Sequence, residues 1–305
     1  MDSIAFVIPT KDRPDDLRRM LQSLAAQSTR PQQVVVVDGS DPPIRRVVEE
    51  FAGLPLDYVR VFPPSLAQQR NAGMQRLRPE ITLAGYLDDD VVLEPEAVAS
   101  MLQCWAGAQK DIGGIAFNVV NNPLPGMLGL KRLFGIDHPV PGQILRSGFP
   151  SSFSGITEDI ETDWLCGGAT VWRREVISSF PYDEWFIGTG FMEDVDFSFA
   201  VRSRYRLLVA ARARLAHHSH PIRADRERLL GKWQVVNRMY FVRKYSARGL
   251  SRVAAWWASL GLVLIYSAGA VFSGQRRYWD RALGNLAGMA AEISGRREQV
   301  GGHLK

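Results

Sequence analysis

Three consecutive aspartates, Asp88, Asp89 and Asp90, follow an apolar run that extends from Ile81 to Leu87. Adjacent carboxylates repel one another, and they are costly to bury unless a cation neutralises them. Mg²⁺ and Mn²⁺ favour carboxylate and phosphate oxygens, so either ion could supply that charge. Taken alone, the triplet fits a cation site and a solvated acidic turn equally well.

The first hundred residues alternate strand and helix patterns. Apolar runs predict strands at 4–8, at 34–37, at 56–62 and directly before the triplet. Helices are predicted between and after them: one capped by Asp12, one over 66–77 and one that starts near Glu94. This order predicts an α/β fold with a doubly wound, mostly parallel sheet flanked by helices.

Three polar segments follow predicted strands: Pro9-Thr10, Asp38-Gly39-Ser40 and the triplet. In doubly wound sheets, ligands bind at the carboxyl ends of the strands, so these segments should converge on one crevice. The first strand is not followed by a glycine-rich phosphate loop of either familiar type. A site with acids and no glycine cradle would hold phosphates through a metal ion.

Six short stretches, in a fixed order from about residue 4 to residue 220, resemble glycosyltransferase family 2. They are Val7-Ile8-Pro9-Thr10-Lys11-Asp12-Arg13, Val36-Val37-Asp38-Gly39-Ser40, Gln69-Arg70-Asn71-Ala72-Gly73, Leu87-Asp88-Asp89-Asp90, Cys166-Gly167-Gly168 with Arg173-Arg174, and Glu193-Asp194-Val195-Asp196. The resemblance implies an inverting enzyme of the GT-A type fold that uses a nucleoside-diphosphate-sugar donor.

The resemblance also implies roles on the donor side. Asp90, with Asp88 and His217, would hold Mg²⁺ or Mn²⁺. A structural role remains open for His217, and His218 and His220 fit the metal less well. Many relatives have a second Asp or Asn where Gly39 stands, so the nucleotide base stays open. The implied nucleotide-sugar pocket is lined by Pro9, Thr10, Arg13, Asp38, Arg70, Asp88 and Asp89.

Sugar transfer to a hydroxyl needs a base, because the acceptor must lose its proton as it attacks the anomeric carbon. By resemblance this base is Asp194, and Glu193 and Asp196 are the other candidates. The following residues read as a helix, which would place the carboxylates at its positive N-terminus. The alternative is that Asp194 only caps the helix.

Two further segments suit an acceptor or sugar. Gly167 and Gly168 would let the backbone approach a sugar closely, and Trp164 could stack on a sugar face or belong to the core. The segment Tyr182-Asp183-Glu184-Trp185-Phe186 resembles the family's segment that leads to the base, and within it Asp183 or Glu184 could bind acceptor hydroxyls.

The sequence predicts two domains. A catalytic domain spans 1–222, with a nucleotide-binding half at about 1–117 and an acceptor half at about 118–222. Within it, 118–161 is irregular and rich in proline and glycine, which predicts a surface loop or a lid. A basic, apolar helical appendage spans 223–305. Two cysteines in no metal-binding spacing favour a reducing compartment.

The appendage carries 15 Lys and Arg against 5 Asp and Glu, whereas the preceding residues carry 22 against 27. Residues 253–273 are uncharged for 21 positions between basic flanks. A bilayer span, a helix in the membrane interface, a hairpin with 282–293 and a buried helix all fit this pattern. Membrane contact at the cytoplasmic face is favoured, and no nucleic-acid motif is present.

The combined prediction is a metal-assisted, inverting glycosyltransferase that acts on a lipid-linked or polysaccharide acceptor. Two alternatives remain. The chain could be a non-catalytic sugar-nucleotide-binding or scaffold subunit of a membrane complex. It could also be a nucleotidyltransferase, although that activity would need a glycine-rich basic loop after the first strand.

Overall fold

A computed structural model describes residues 2–121, 128–153, 155–188 and 190–295. The strands in these ranges are β1 (Ile4–Thr10), β2 (Gln33–Asp38), β3 (Leu56–Arg60), β4 (Leu83–Leu87), β5 (Val91–Leu93), β6 (Ile112–Val119), β7 (Ile160–Thr162), β8 (Ala169–Arg173) and β9 (Arg206–His217). The α-helices are α1 (Pro14–Ala25), α2 (Arg45–Glu49), α3 (Leu66–Met74), α4 (Ala97–Gly107), α5 (Leu128–Leu133), α6 (Arg174–Ser179), α7 (Glu193–Val201), α8 (Glu227–Lys244), α9 (Arg252–Ser273) and α10 (Arg276–Ile293).

The chain divides into two units, and the first is residues 1–124 with 154–219. Its sheet has the strand order β3-β2-β1-β4-β8-β6-β9-β5, with β7 beside β9. The pairings among β1 to β4 are parallel, and so is β6 with β9. The remaining pairings are antiparallel. The predicted α/β class with flanking helices is confirmed, but parallel pairing dominates only the first half of the sheet.

Burial explains why these elements form. Residues Val34–Val37 of β2 are completely buried, as expected for a parallel strand covered on both faces. The helix α1 buries one apolar stripe against the sheet, formed by Leu17, Met20, Leu21 and Leu24.

The start of α1 differs from the prediction. The helix begins at Pro14 and Arg13 is its N-cap, so Asp12 does not cap it. Asp12 has a φ of 55°, in the left-handed region that Asp tolerates better than most residues. Its backbone N–H donates to Ser40 Oγ at 2.8 Å, and its Oδ1 accepts from the Asp41 N–H at 3.2 Å. Asp12 therefore ties the loop after β1 to the loop after β2.

The strand β5 was not predicted from the sequence. It has three residues, too few for an alternating pattern to be recognised. Its first residue, Val91, pairs with His217 at the end of β9. This pairing brings the residues after the aspartate triplet beside the histidine cluster.

The second unit is residues 125–153 with 220–305. It contains α5, α8, α9 and α10, and the apolar run predicted at 253–273 lies within α9. Part of its core is formed by Phe134, Ile136, Phe149, Ala258 and Leu262. Residues 125–153, which the sequence prediction placed in the acceptor half, therefore group with the C-terminal helices.

Candidate active site

The carboxyl ends of β1, β2 and β4 lie side by side in the sheet. Thr10 pairs with Asp38 in the register of β1 and β2. The Nε2 of Gln69, on α3, donates to Thr10 O at 3.0 Å and to Val37 O at 2.8 Å. Gln69 is 4% exposed, so both hydrogen bonds are buried. They hold the ends of β1 and β2 together. The predicted pocket residue Pro9 lies buried beside Val37.

The three aspartates point in different directions. Asp89 is 4% exposed and turns inward, where its Oδ2 accepts from Thr10 Oγ1 at 2.8 Å. Its Oδ1 accepts from Arg13 Nη1 at 3.2 Å. Burial raises the pKa of Asp89 to about 7, even though Arg13 and Thr10 favour the charged form. The resemblance implied that Asp89 lines the nucleotide-sugar pocket, but in the structure its carboxylate is buried against Thr10 and Arg13.

Asp88 and Asp90 form a different group with His217. One ligand atom from each of the three side chains lies within 4.8 Å of the others. The His217 Nε2 lies 3.0 Å from Asp90 Oδ1. The hydrogen bond between the two side chains raises the pKa of His217. Two carboxylates and an imidazole are ligands that Mn²⁺ or Mg²⁺ can accept, so the donor set fits the predicted metal.

The backbone fixes His217 in this position. Its N–H donates to Asn121 Oδ1 at 2.8 Å, and Asn121 Nδ2 donates back to His217 O at 2.9 Å. The next residue, His218, donates its N–H to Asp90 O at 2.8 Å. The side chains of His218 and His220 are exposed and are not part of this three-residue group. The structure therefore favours His217 among the three candidates.

Asp38 is completely buried. Its Oδ1 accepts from the Ser40 N–H at 2.8 Å, and its Oδ2 accepts from the Ile44 N–H at 2.9 Å and from Tyr58 Oη at 2.5 Å. Burial opposes the charged form, but these donors together lower the pKa of Asp38. The resemblance implied that Asp38 lines the nucleotide-sugar pocket; in the structure its carboxylate holds the loop after β2.

Arg70 connects the aspartate triplet to α7. Its side chain is 1% exposed, its Nη2 donates to Asp88 Oδ1 at 3.2 Å, and its Nη1 donates to Glu193 Oε1 at 2.8 Å. The guanidinium carbon lies 5.0 Å from the centre of the Tyr182 ring and 5.7 Å from that of Tyr86. Two carboxylates and two aromatic faces thus compensate this buried cation.

The two acids at the start of α7 have different environments. Glu193 is 4% exposed, and burial together with the neighbouring Asp194 raises its pKa to about 8, although Arg70 opposes the shift. Asp194 is partly exposed; its Oδ2 accepts from the Gly167 N–H at 3.2 Å and its Oδ1 from the Val195 N–H at 2.8 Å. Burial raises the pKa of Asp194, while Arg70 and these two donors limit the rise.

The predicted glycine pair has a structural reason. A Cβ at Gly168 would lie 2.0 Å from the carboxylate of Asp88, and a Cβ at Gly167 would lie 2.7 Å from Arg70 Nη1 and 2.9 Å from Asp194 Cβ. Both glycines therefore leave room for charged side chains of the site. The sequence predicted that the backbone approaches a sugar here; the observed close approach is to Asp88, Arg70 and Asp194.

This geometry predicts that Gly168→Ala displaces the Asp88 carboxylate and weakens metal binding. We expect the affinity for Mn²⁺, measured by isothermal titration calorimetry with a nucleoside diphosphate present, to fall by at least about tenfold, as when a supporting contact of a metal ligand is lost. Gly53→Ala is the matched control, because a Cβ there meets nothing within 4 Å. Equal affinities for the two variants would contradict the prediction.

The other predicted acceptor residues lie near α3 or before β8. Glu184 is exposed and accepts hydrogen bonds from Asn71 Nδ2 at 3.1 Å and Gln68 Nε2 at 3.3 Å. The Asp183 Oδ1 accepts from the Trp185 N–H at 2.9 Å. Trp164 is partly exposed, so it belongs neither fully to the core nor to the surface.

Several residues of this site were not assigned a role from the sequence. Gln69, Asn71, Asn121 and Tyr182 all support it through hydrogen bonds or ring contacts. Gln69 and Asn71 flank Arg70 in the stretch that carries the family resemblance, which was the available signal for them. Tyr182 begins the segment that resembles the one leading to the base, which was the signal for it, whereas Asn121 lies in a loop and gave no comparable signal.

The fold and this arrangement of acids together define the class of protein. The mixed sheet with its flanking helices has the GT-A type fold that the sequence predicted. Residues 5–132 match the model of the family described as glycosyl transferase family 2. The match covers 128 of the 305 residues, and over this part of the chain it supports the predicted resemblance to glycosyltransferase family 2.

Solved structures share this fold. The structure of S. aureus TarS 1-349 has a TM-score of 0.52 at 12% identity, and the match covers 96% of this chain and 92% of that one. The structure of GalNAc-T7 with UDP, GalNAc and Mn²⁺ has a TM-score of 0.56 at 17% identity, with 81% of this chain and 50% of that chain covered.

A longer TarS structure matches with a TM-score of 0.51 and 14% identity over 98% of this chain. The match covers 55% of that structure, so this chain spans about half the length of the longer TarS and of GalNAc-T7. No curated protein sequence matches the chain significantly.

Proposed function

We propose that the protein transfers a sugar from a nucleoside-diphosphate-sugar donor to a hydroxyl of a lipid-linked or polysaccharide acceptor, with inversion at the anomeric carbon. The main support for this proposal is the position of Arg70. This one buried cation contacts Asp88 in the candidate metal group and Glu193 beside the candidate base. A donor-side acid and the acids of α7 are therefore held in one network, as a single displacement step requires.

In this proposal Asp88, Asp90 and His217 hold Mn²⁺ or Mg²⁺. The metal would neutralise the charge that develops on the departing diphosphate. GalNAc-T7, which shares the fold, was solved with UDP and Mn²⁺. That structure supports the choice of these two ligands as the first to test here.

Asp194 is the proposed base. The acceptor oxygen attacks the anomeric carbon, its O–H proton passes to an Asp194 carboxylate oxygen, and the bond from the anomeric carbon to the diphosphate oxygen breaks on the opposite side. The Gly167 and Val195 N–H groups hold the carboxylate, and its partial exposure leaves it accessible to an acceptor. Glu193 is less suited, because it is buried against Arg70 and its pKa is about 8.

A thermal-shift screen tests the donor side. Nucleoside diphosphates are added singly, with and without Mn²⁺, and we expect one of them to raise the melting temperature in a metal-dependent manner. A ligand present at a hundred times its Kd stabilises a protein by about 2.7 kcal/mol, which is readily measured. Asp90→Asn should remove the metal-dependent part of the shift. Stabilisation that is identical with and without metal would contradict the metal assignment.

We place the reaction at the cytoplasmic side of the cell membrane. The basic, apolar character of the second unit supports this location, since cytoplasmic leaflets are anionic and attract basic segments. Cell fractionation of the full chain, with detection in the membrane fraction at low salt, is the corresponding measurement.

A further inference from the structure

The helix α9 carries an exposed apolar stripe. Val253, Trp257, Leu260, Leu264 and Val271 are 80%, 48%, 40%, 49% and 67% exposed. Their spacing of four, three, four and seven residues places them along one face of the helix. The stripe therefore runs nearly the full length of α9.

The helix α10 carries a second stripe of the same kind. Trp279, Leu283, Leu286 and Ile293 are 46%, 43%, 48% and 77% exposed, again at spacings of four, three and seven. Each helix thus presents one tryptophan and several aliphatic side chains to the outside of the second unit. Single exposed apolar residues are normal on a protein surface, but two continuous stripes within about 40 residues are not.

The opposite face of each helix is packed inside the second unit. In α9, Ala255, Ala258 and Leu262 are at most 5% exposed, and a Cβ on Gly261 would lie 2.3 Å from the Phe134 ring. In α10, a Cβ on Gly284 would lie 2.1 Å from the Arg228 carbonyl oxygen of α8. Although α9 has the length and composition of a membrane span, one side of it contacts protein and the other side is open.

The exposed charges of the two helices have one sign. They are Arg252 at the start of α9 and Arg276 and Arg277 at the start of α10. Of the acids in these helices, Glu292 is buried in an ion pair with Arg243, and Asp280 is partly exposed and paired with Arg276. Among the described residues of α9 and α10, the apolar stripes are therefore bordered by arginine and by no fully exposed acid.

We propose that α9 and α10 form a docking surface for an anionic lipid bilayer and that α9 lies in the plane of the membrane interface without crossing it. Apolar stripes enter the acyl boundary, tryptophans prefer the interface, and the arginines at the helix ends meet anionic headgroups. A second copy of the chain fits this surface less well. If two copies met through their apolar stripes, the bordering arginines of both would come close together, and no exposed acid among the described residues of α9 and α10 would neutralise them. The proposal does not depend on the sugar-transfer activity.

Vesicle co-sedimentation of the full chain tests this surface. We expect binding to vesicles of phosphatidylglycerol and phosphatidylcholine that weakens in high salt and that exceeds binding to phosphatidylcholine alone. Leu260→Gln with Leu264→Gln should lower the partition coefficient by at least about tenfold, since each buried leucine is lost from the acyl boundary. Ile222→Gln is the matched control: Ile222 is 50% exposed but lies outside both helices, so binding should stay unchanged.

The depth of insertion separates an in-plane helix from a span. Lipids brominated near the headgroup should quench tryptophan fluorescence more than lipids brominated near the bilayer centre, and Trp257→Phe with Trp279→Phe should remove most of the difference. Stronger quenching from the centre would overturn the proposal in favour of a span. Unchanged vesicle binding of the double leucine variant would overturn it as well.

Sedimentation velocity of the same proteins tests the second-copy alternative. Concentration-dependent dimers that the leucine substitutions abolish, without vesicle binding, would overturn the proposal. Donor hydrolysis by the leucine variants in detergent-free buffer should equal that of the unmodified protein. Failure of the docking surface can therefore be distinguished from failure of the proposed transfer reaction.

Discussion

Replacement of Asp194 by asparagine is expected to lower kcat by about a hundredfold to ten-thousandfold, the usual contribution of a positioned general base. Asparagine keeps the size of the side chain and an oxygen that can accept the Gly167 N–H, but it cannot take a proton from the acceptor. Donor affinity should change little, because the contacts assigned to the donor lie on Asp88, Asp90 and His217. Steady-state kinetics and the thermal shift with donor nucleotide measure the two effects separately.

The pH dependence of kcat/KM gives a second test of Asp194 as the base. Burial raises the pKa of Asp194 above its ordinary value, and the base acts only when it is deprotonated. For the unmodified protein kcat/KM should therefore increase with pH, with an acid limb whose midpoint lies above the usual aspartate value. The residual activity of Asp194→Asn should lack this limb.

Two further variants complete the test. Asp15→Asn is the surface control, because the Asp15 side chain is 89% exposed on α1 and its replacement should leave kcat unchanged. Glu193→Gln identifies the fallback base. If Asp194→Asn retained full activity while Glu193→Gln lost it, the base would be Glu193 and the assignment to Asp194 would be wrong.

The first half of the sheet could be predicted from local sequence patterns. The all-valine core of β2 and the four-residue stripe of α1 are local signals, and both appear in the structure where they were predicted. The antiparallel insertion of β8 between β4 and β6 is not a local property. Pairing direction depends on which strands meet in space, so the alternation of strands and helices alone suggested a more parallel sheet.

The residues of the candidate site could be predicted from the sequence, but the directions of their side chains could not. The triplet, Arg70 and the acids of α7 were all recognised, but the direction of each side chain depends on its neighbours. Asp89 turns inward because Thr10 and Arg13 supply buried donors. Asp38 is buried because three donors converge on it, and two of them, the Ile44 N–H and the Tyr58 hydroxyl, are six and twenty residues away in sequence.

Replacement of Arg70 by methionine is expected to have the largest effect on stability. At pH 9, where Glu193 is ionised, the change leaves this carboxylate buried without its cation, and loss of one partner of a buried ion pair typically costs about 3–5 kcal/mol. The same change frees Asp88, so the metal-dependent thermal shift with donor nucleotide should also disappear. Urea unfolding gives the free energy of unfolding, with Arg45→Met as the control because Arg45 pairs only with exposed Glu49 among acids of the described residues.

The size of the Arg70→Met effect should depend on pH. The pKa of Glu193 is about 8 beside Arg70, compared with 4.5 for an ordinary glutamate, so folding favours its protonated form. Such a group stabilises the folded protein at low pH, and this contribution is lost as the pH rises through about 8. Removal of the cation raises the pKa of Glu193 further, since Arg70 favours the charged form. At pH 6, where Glu193 is protonated in both proteins, the loss should therefore be small.

At pH 9 the unmodified protein keeps Glu193 ionised beside Arg70. The variant must either bury an uncompensated carboxylate or keep Glu193 protonated at a pH far above its ordinary pKa, and both cost free energy. The difference in unfolding free energy between the two proteins should consequently be larger at pH 9 than at pH 6. Addition of Glu193→Gln to Arg70→Met should remove most of this pH dependence, because the titrating group is gone. A loss of equal size at both pH values would show that Arg70 stabilises the fold through its contacts with Tyr86, Tyr182 and Asp88 and not through Glu193.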